Sequence, residues 1–366
     1  MRDSKVRQAL VIGCVITACK VGDAIADPLI SYPGTKATSM GGAFTAAPGN
    51  VSSLLYNPAA MVRPDFVWED AEGEIQTQQQ VVSSLEYSQS VQAAAGPTGD
   101  KVDNYMLGMA ALTPTLSYGF MYSPIWEVSH GDENAQELDA YMVGFGWDIS
   151  DRAEHGEGLF ISLGASAGYL ESSADWREDE EDDYSDEEFF GVAGLKARIV
   201  DTRTFSFDLG GSYRSEATFD EAEVFDVDGS MDSPVSKQPW GLPEEVSYGA
   251  AMHYQGTGYL VSLTASHRET GYEAVTTEYD DMETNSVGLE LGLAGGSLSF
   301  RSGYYSSTSD AIDSDGATLG IGFNAIREHG ELSLELAFEA RENTIAGGED
   351  YDEVLSSISM NWVRSP

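Results

Sequence analysis

Apolar residues recur at every second position along most of this chain. Across Glu331–Glu342, Leu332, Leu334, Leu336 and Phe338 share one face, and Glu331, Ser333, Glu335, Glu339 and Arg341 share the other. Val287, Leu289, Leu291 and Leu293 alternate with Gly288, Glu290 and Gly292, and Phe205, Phe207 and Leu209 with Ser206, Asp208 and Gly210. A period of two marks a half-buried strand and is incompatible with the 3.6-residue period of a helix. The pattern predicts twelve strands, at about 116–127, 139–150, 157–172, 189–200, 204–218, 245–255, 258–268, 284–294, 297–307, 316–326, 331–342 and 354–363. The stretches 66–83 and 102–112 add two, with Pro97-Thr98-Gly99-Asp100 between them, for about fourteen.

The same alternation suits two architectures. In a sandwich the apolar faces look inward at each other, whereas in a membrane barrel they look at lipid and the polar faces line the lumen. The links decide. Short ones (151–156, 201–203, 255–257, 295–296, 327–330) alternate with long ones (128–138, 173–188, 219–244, 269–283, 308–315, 343–353). A barrel with tight turns at one end and long loops at the other has that rhythm; Greek-key crossovers give no reason for it. Closure also satisfies every backbone N–H and C=O in lipid. Tyr122, Trp126, Tyr141, Trp147, Tyr169, Trp176, Tyr213, Tyr248, Tyr254, Tyr304 and Trp362 fall near strand ends, where membrane boundaries collect aromatics. The fold class is therefore all-β, a transmembrane antiparallel barrel.

Charge and composition narrow the partners. The 366 residues carry 61 acids against 19 bases, a net charge of −42, which excludes nucleic acid. Residues 1–26 read as a signal peptide: Arg2, Lys5 and Arg7, an apolar stretch Ala9–Cys19, and the A-x-A site Ala24-Ile25-Ala26. An alternative processing site, Ile16-Thr17-Ala18-Cys19, resembles a lipobox that would leave Cys19 acylated. Both cysteines, Cys14 and Cys19, lie in this segment. Cleavage after Ala26 removes them with four bases and two acids, leaving 15 bases against 59 acids and no thiol chemistry. The expected location is the outer membrane of a Gram-negative bacterium.

Residues 27–65, rich in Gly, Ala, Ser and Pro, precede the barrel (66–366) and do not alternate; only Val51–Tyr56 has helical character. Such a segment is either a loose arm or a plug inside the lumen. Gly41-Gly42-Ala43-Phe44 followed by Leu55-Tyr56-Asn57-Pro58-Ala59-Ala60 resembles the N-terminal hatch signature of the FadL/TodX outer-membrane transport family. Tyr118–Pro124, Gly211–Glu216, Leu242–Gly249 and Arg301-Ser302-Gly303-Tyr304 resemble further segments of that family, in order. The resemblance implies a monomeric fourteen-strand barrel with the hatch inside it, Gly41, Gly42, Phe44, Asn57, Pro58 and Ala59 forming the gate. It implies passive uptake of hydrophobic small molecules, long-chain fatty acids or aromatic hydrocarbons. Their capture falls to outer loops, placed here at 173–188 and 219–244. A kinked third strand, here containing Gly119 and Pro124, is implied to open sideways to lipid.

By alternation, Lys196, Arg198, Arg214, Arg268, Arg301 and Arg341 point into the lumen, with Asp208, Glu290, Glu335 and Glu339. Two readings stand: mutual pairing across a wet lumen, or capture of a substrate carboxylate by Arg198, Arg214, Arg268 and Arg301, since guanidinium binds carboxylate bidentately. The loops hold dense acid runs, including Asp179, Glu180, Glu181, Asp182 and Asp183, and Asp226, Asp228 and Asp232. These are either a solvated surface or sites for Ca²⁺ or Mg²⁺ that bridge the protein to anionic lipopolysaccharide. No other cofactor is implied. Gly164-Ala165-Ser166-Ala167-Gly168 matches G-x-S-x-G but lies within a strand, where a nucleophile elbow cannot form. The five His residues lack zinc-ligand spacing. An enzyme is not expected; the alternative to a channel is a non-transporting outer-membrane barrel serving as an assembly or secretion partner or a structural surface protein.

Overall fold

The computed structural model describes residues 34–47, 49–62, 66–69, 75–78, 82–92, 101–113, 115–130, 133–150, 159–174, 184–202, 204–220, 222–224, 235–237, 241–272, 281–310, 312–327, 330–345 and 351–364. Two short helices, α1 (Thr35–Ser39) and α2 (Ser53–Tyr56), and a 3-10 turn at Pro58–Met61 come first. Fourteen barrel strands follow: β1 Val82–Gln92, β2 Lys101–Leu112, β3 Leu116–His130, β4 Glu133–Asp148, β5 Phe160–Ala174, β6 Tyr184–Asp201 and β7 Phe205–Arg214 form one half. The other half is β8 Glu244–Gly256, β9 Tyr259–Gly271, β10 Met282–Leu293, β11 Leu298–Thr308, β12 Ile312–Arg327, β13 Gly330–Ile345 and β14 Tyr351–Arg364. Each strand pairs antiparallel with its neighbours in sequence, and β14 pairs with β1 from Leu355↔Gln92 to Arg364↔Ser83. The sheet is thus a closed barrel without an edge.

Alternation sets the two faces. In β10 the burial pattern is strictly two-fold, with Val287, Leu289 and Leu291 outside and Thr284, Ser286 and Glu290 inside. Around the barrel, Met109, Tyr118, Phe145, Leu163, Leu263, Leu319 and Phe338 are exposed, whereas Lys196, Asp208, Arg214, Arg301 and Arg341 are buried. That is the inverse of a water-soluble domain. A continuous apolar belt would drive aggregation in water, but it matches the hydrocarbon of a bilayer, and a closed sheet has no free edge to expose there. Among the described residues no helix is long and apolar enough to cross a membrane.

Two expectations are corrected. The stretch 66–83 is not the first barrel strand: Phe66–Glu69 and Ile75–Gln78 form their own two-stranded hairpin, and the barrel opens with β1 at Val82. Hydropathy marks β1 poorly, because Ser and Gln fill much of Val82–Gln92; it is a barrel strand because β14 needs a partner on its second side. The link rhythm is also less regular than expected. The stretches 128–138 and 308–315 are mostly strand, leaving links of only 131–132 and 309–311, while 149–159 at the opposite end is long. Ladder hydrogen bonding continues beyond the lipid-facing belt, so hydropathy ends a strand before its backbone does.

Candidate functional site

The segment 34–62 lies inside the barrel. α1 packs on β11–β14 and β1, while α2 and the 3-10 turn pack on β3–β6, and only a segment in the lumen can touch both walls. Its turns follow from the sequence. Gly41 (φ 65°) and Gly42 (φ 75°) are left-handed. The Gly42 N–H donates to Ala37 O at 2.9 Å and the Gly41 N–H to Thr38 O at 3.0 Å, the crossed pair of a Schellman cap that stops α1. Asn57 Oδ1 accepts from Ala59 N at 3.1 Å and starts the 3-10 turn, with Pro58 as its first residue. Its Nδ2 donates to Thr45 O at 2.8 Å and to Leu195 O of β6 at 3.1 Å. One buried amide therefore ties the two halves of the plug to each other and to the wall.

The wall is built to receive this segment. A Cβ on Gly164 would lie 2.2 Å from Ala59 N, on Gly303 2.3 Å from Gly41 N, and on Gly210 2.5 Å from Thr45 O, so plug backbone rests directly on wall backbone. Inward hydroxyls complete the seat. Ser117 donates to Met61 O at 3.0 Å, Ser162 to Ala59 O at 2.9 Å, Ser166 to Leu54 O at 2.7 Å and Thr318 to Ser39 O at 3.0 Å. The G-x-S-x-G match thus lies within β5, as its alternation indicates, and its Ser166 anchors the plug. Lys36 reaches Glu290 at 3.6 Å.

The lumen has two unlike halves. On β2–β6 the inner face carries, beside the anchoring serines, an apolar cluster: Met106, Met121, Ile125, Leu138, Met142 and Leu170 are buried with Val51, Leu54, Leu55 and Met61 of the plug. Phe219 and Leu242, from the loop after β7, close over the same cluster, joined by the paired backbones of Ala217 and Leu242. On β6–β14 the inner face is charged and paired. Asp208 takes Arg198 bidentately at 2.7 and 3.1 Å and Lys196 at 3.2 Å. Arg301 bridges Glu290 (2.8 Å) and Glu335 (2.9 Å), Arg214 meets Glu245 (3.3 Å), and Arg341 meets Glu339 (3.0 Å) and Glu353 (3.4 Å). Replacing Asp208 with Asn is expected to cost about 3–5 kcal/mol, because two buried cations lose their shared counter-charge. A lowered urea midpoint for the heat-modifiable folded band on a gel would show it.

The apolar half adjoins a break in the barrel wall. Between β2 and β3 the ladder runs Ala111↔Tyr118 to Leu107↔Tyr122, then stops, and resumes only at Val102↔Val128 with the register shifted. Residues 103–106 and 123–127 face each other unpaired. Pro124 lies in this run and has no N–H to give, and a bulge follows it against β4, between Pro124↔Asp139 and Trp126↔Leu138. Ser123 Oγ donates to Tyr105 O at 2.9 Å, supplying a side-chain donor where the ladder supplies none. Met106, Met121 and Ile125 stand on the lumen side of the break. On the outer face a row of rings, Tyr105, Tyr122, Tyr141, Tyr169 and Phe189, crosses β2–β6 with centroids 4.8–6.1 Å apart.

The residues singled out from sequence separate accordingly. Gly41, Gly42, Phe44, Asn57, Pro58 and Ala59 all lie in the plug within the barrel. Pro124 lies in the ladder break, within a strand that continues to His130, while Gly119 lies outside the break, paired with Ala110 and Gly144. Arg198, Arg214 and Arg301 are inward and each holds a carboxylate; Arg268 is inward and lines a cavity beside the plug. Asp179, Glu180, Glu181, Asp182, Asp183, Asp226, Asp228 and Asp232 lie outside the described residues. Among the described residues no acid or His cluster has metal-binding geometry. Sequence reasoning missed Glu245, Glu353 and the anchoring hydroxyls of Ser117, Ser162 and Thr318. Alternation places all five inward, but nothing in the sequence says that a plug carbonyl waits opposite a given serine.

The chain is therefore a closed barrel with an outward apolar belt and a plug seated in its lumen. No family model matches the chain, and no curated protein matches it. Solved structures do. It is similar to a CymD monoaromatic hydrocarbon channel (TM-score 0.62, 12% identity, 92% of this chain and 98% of that one). It is similar also to the Pseudomonas putida toluene transporter TodX (0.54, 12%, 95% and 99%) and to a Pseudomonas aeruginosa FadL homologue (0.51, 11%, 95% and 99%). At such identities the likeness is one of fold, over nearly the full length of each chain.

Proposed function

We propose that this protein is an outer-membrane channel for passive uptake of hydrophobic small molecules, long-chain fatty acids or aromatic hydrocarbons. The observation that carries the reading is the apolar half of the lumen ending at the unpaired stretch between β2 and β3. A hydrophobic solute loses no hydration on moving from apolar side chains into hydrocarbon, so a sideways exit into lipid costs it less than release into water. Phe219 and Leu242, at the loop end, lie where such a solute would first leave water. The plug fills the direct route along the barrel axis. The solved structures named above support the reading by fold.

The test is uptake of radiolabelled oleate and toluene by cells lacking their own hydrophobic transporter, with and without this chain. Saturable, chain-dependent uptake of either compound is expected. No uptake of either, with the barrel shown folded in the outer membrane, would move the assignment to an assembly or structural role.

A further inference from the structure

A cavity lies against the plug on the side of the lumen opposite the ladder break, and its chemistry differs from the apolar half. Seven of its thirteen lining residues carry a hydroxyl group, among them Thr38, Tyr56, Thr270, Thr284, Tyr305 and Ser307. Its one aliphatic side chain is Met282. A Cβ placed on Gly42, which also lines it, would meet no atom within 4 Å.

The charges around this cavity cancel. Arg341 lines it and is held by Glu339 and Glu353. Arg268 lines it and stands diagonally across the β8–β9 ladder from Glu245 (Ser247↔Arg268, Glu245↔Thr270), which in turn meets Arg214. Three guanidinium groups therefore face three carboxylates. A ligand carboxylate brought here would add an uncompensated negative charge to a neutral set. A bare hydrocarbon would strip the lining hydroxyls of water and return no hydrogen bond. A hydroxyl or carbonyl oxygen meets neither penalty. Thr284 and Ser307 are hydrogen-bonded to each other at 2.8 Å, an arrangement that uses only one of their two O–H groups and leaves the other to donate. Tyr305, which also lines the cavity, donates to Glu339 at 2.5 Å.

Tyr56 joins the two environments. It lines the cavity, and it also belongs to the buried apolar cluster, edge-on to Phe44 at 5.6 Å. A molecule lying across Tyr56 has an apolar part on one side and a polar end in the cavity. Resting on the channel reading above, we infer that the preferred cargo is a neutral, oxygen-bearing amphiphile, an alcohol, phenol or ketone with an apolar body, whose oxygen accepts the hydrogen that the Thr284–Ser307 pair leaves to donate.

The test is calorimetric titration of the full chain in amphipol with 1-octanol, octanoate at pH 7.5 and n-octane, against empty amphipol. A Kd for octanol at least tenfold below those of octanoate and octane is expected. In the double variant Thr284→Val, Ser307→Ala the octanol advantage over octane should fall about tenfold, with octane binding unchanged. Octanoate binding as tightly as octanol, or a variant that keeps the full advantage, would overturn the inference. Binding of all three without preference would sink it while leaving the channel reading intact. Absence of binding by any of them, together with absent oleate and toluene uptake, would remove both. Heat-modifiable mobility of the variant reports that its barrel is folded.

Discussion

Joining β2 to β3 with a disulfide at Met106→Cys and Ser123→Cys is expected to stop uptake. These positions come next after the last paired residues, Leu107↔Tyr122, at the lower edge of the break. Neighbouring antiparallel strands bring Cβ atoms to about 4.5–5.5 Å, close enough for a disulfide after a small approach. The only cysteines in the sequence, Cys14 and Cys19, fall in the predicted signal peptide, so the new pair has no competing partner in the mature chain. Without the cross-link this seam lacks ladder hydrogen bonds over four residues of β2 and five of β3, which makes it the weakest lateral contact of β3. With it, the wall cannot part. Uptake of toluene or oleate should fall at least tenfold in the oxidised form and return on reduction, with the cross-link verified by mass. Equal uptake in both forms would show that cargo does not leave between β2 and β3.

Replacing Asn57 with Asp is expected to unseat the plug. The Asn57 amide donates to two carbonyls, Thr45 O within the plug and Leu195 O in the wall, and it is fully buried. A carboxylate in its place has no proton to give and presents negative charge to both oxygens. Each orphaned buried group costs about 1–3 kcal/mol, so the pair costs about 4 kcal/mol before any repulsion. That is a large share of the roughly 5–15 kcal/mol that stabilises a whole domain. Asn57→Ala should lose the same bonds without the repulsion and show a smaller effect in the same direction. In planar bilayers the Asp variant should conduct ions at a level the parent does not reach, while the folded band on a gel is unchanged. Parent-like conductance would mean that the hydroxyl and glycine seat of the wall holds the plug without this amide.

The sequence alone placed most of the fold because lipid imposes a local rule. Outward residues must be apolar and the next residue along need not be, so the alternation of β10 and β13 is a direct record of the bilayer. Twelve strands could be read this way, and the inward set Lys196, Arg198, Asp208, Arg214, Glu290, Arg301 and Arg341 followed from parity alone. The rule weakens where lipid contact ends. β1 has little apolar signal, so the prediction falls instead on the neighbouring pair Phe66–Glu69 and Ile75–Gln78. The outer ends of β3, β4, β11 and β12 read as loop because hydrogen bonds there outlast the hydrophobic belt. The plug was legible in Gly41-Gly42 and Asn57-Pro58 only through a resemblance; the structure supplies the reason those residues stand there, a left-handed turn and a side-chain cap.

What the tertiary structure alone decided is how these pieces meet. Barrel closure gave β14 its partner and so defined β1. The lumen's division into an apolar half on β2–β6 and a charge-paired half on β6–β14 depends on which inward residues become neighbours across the interior, and strand period carries no such information. The same holds for the serines that anchor the plug and for the hydroxyl-lined cavity at Tyr56. The sequence showed Pro124 within a strand. Only the register, shifted by one residue between Val102 and Leu107, showed that the strand beside it withholds its hydrogen bonds there. Pairing across a barrel is a long-range choice made by closure, whereas alternation is a short-range response to solvent; the sequence states the second openly and the first only through the folded chain.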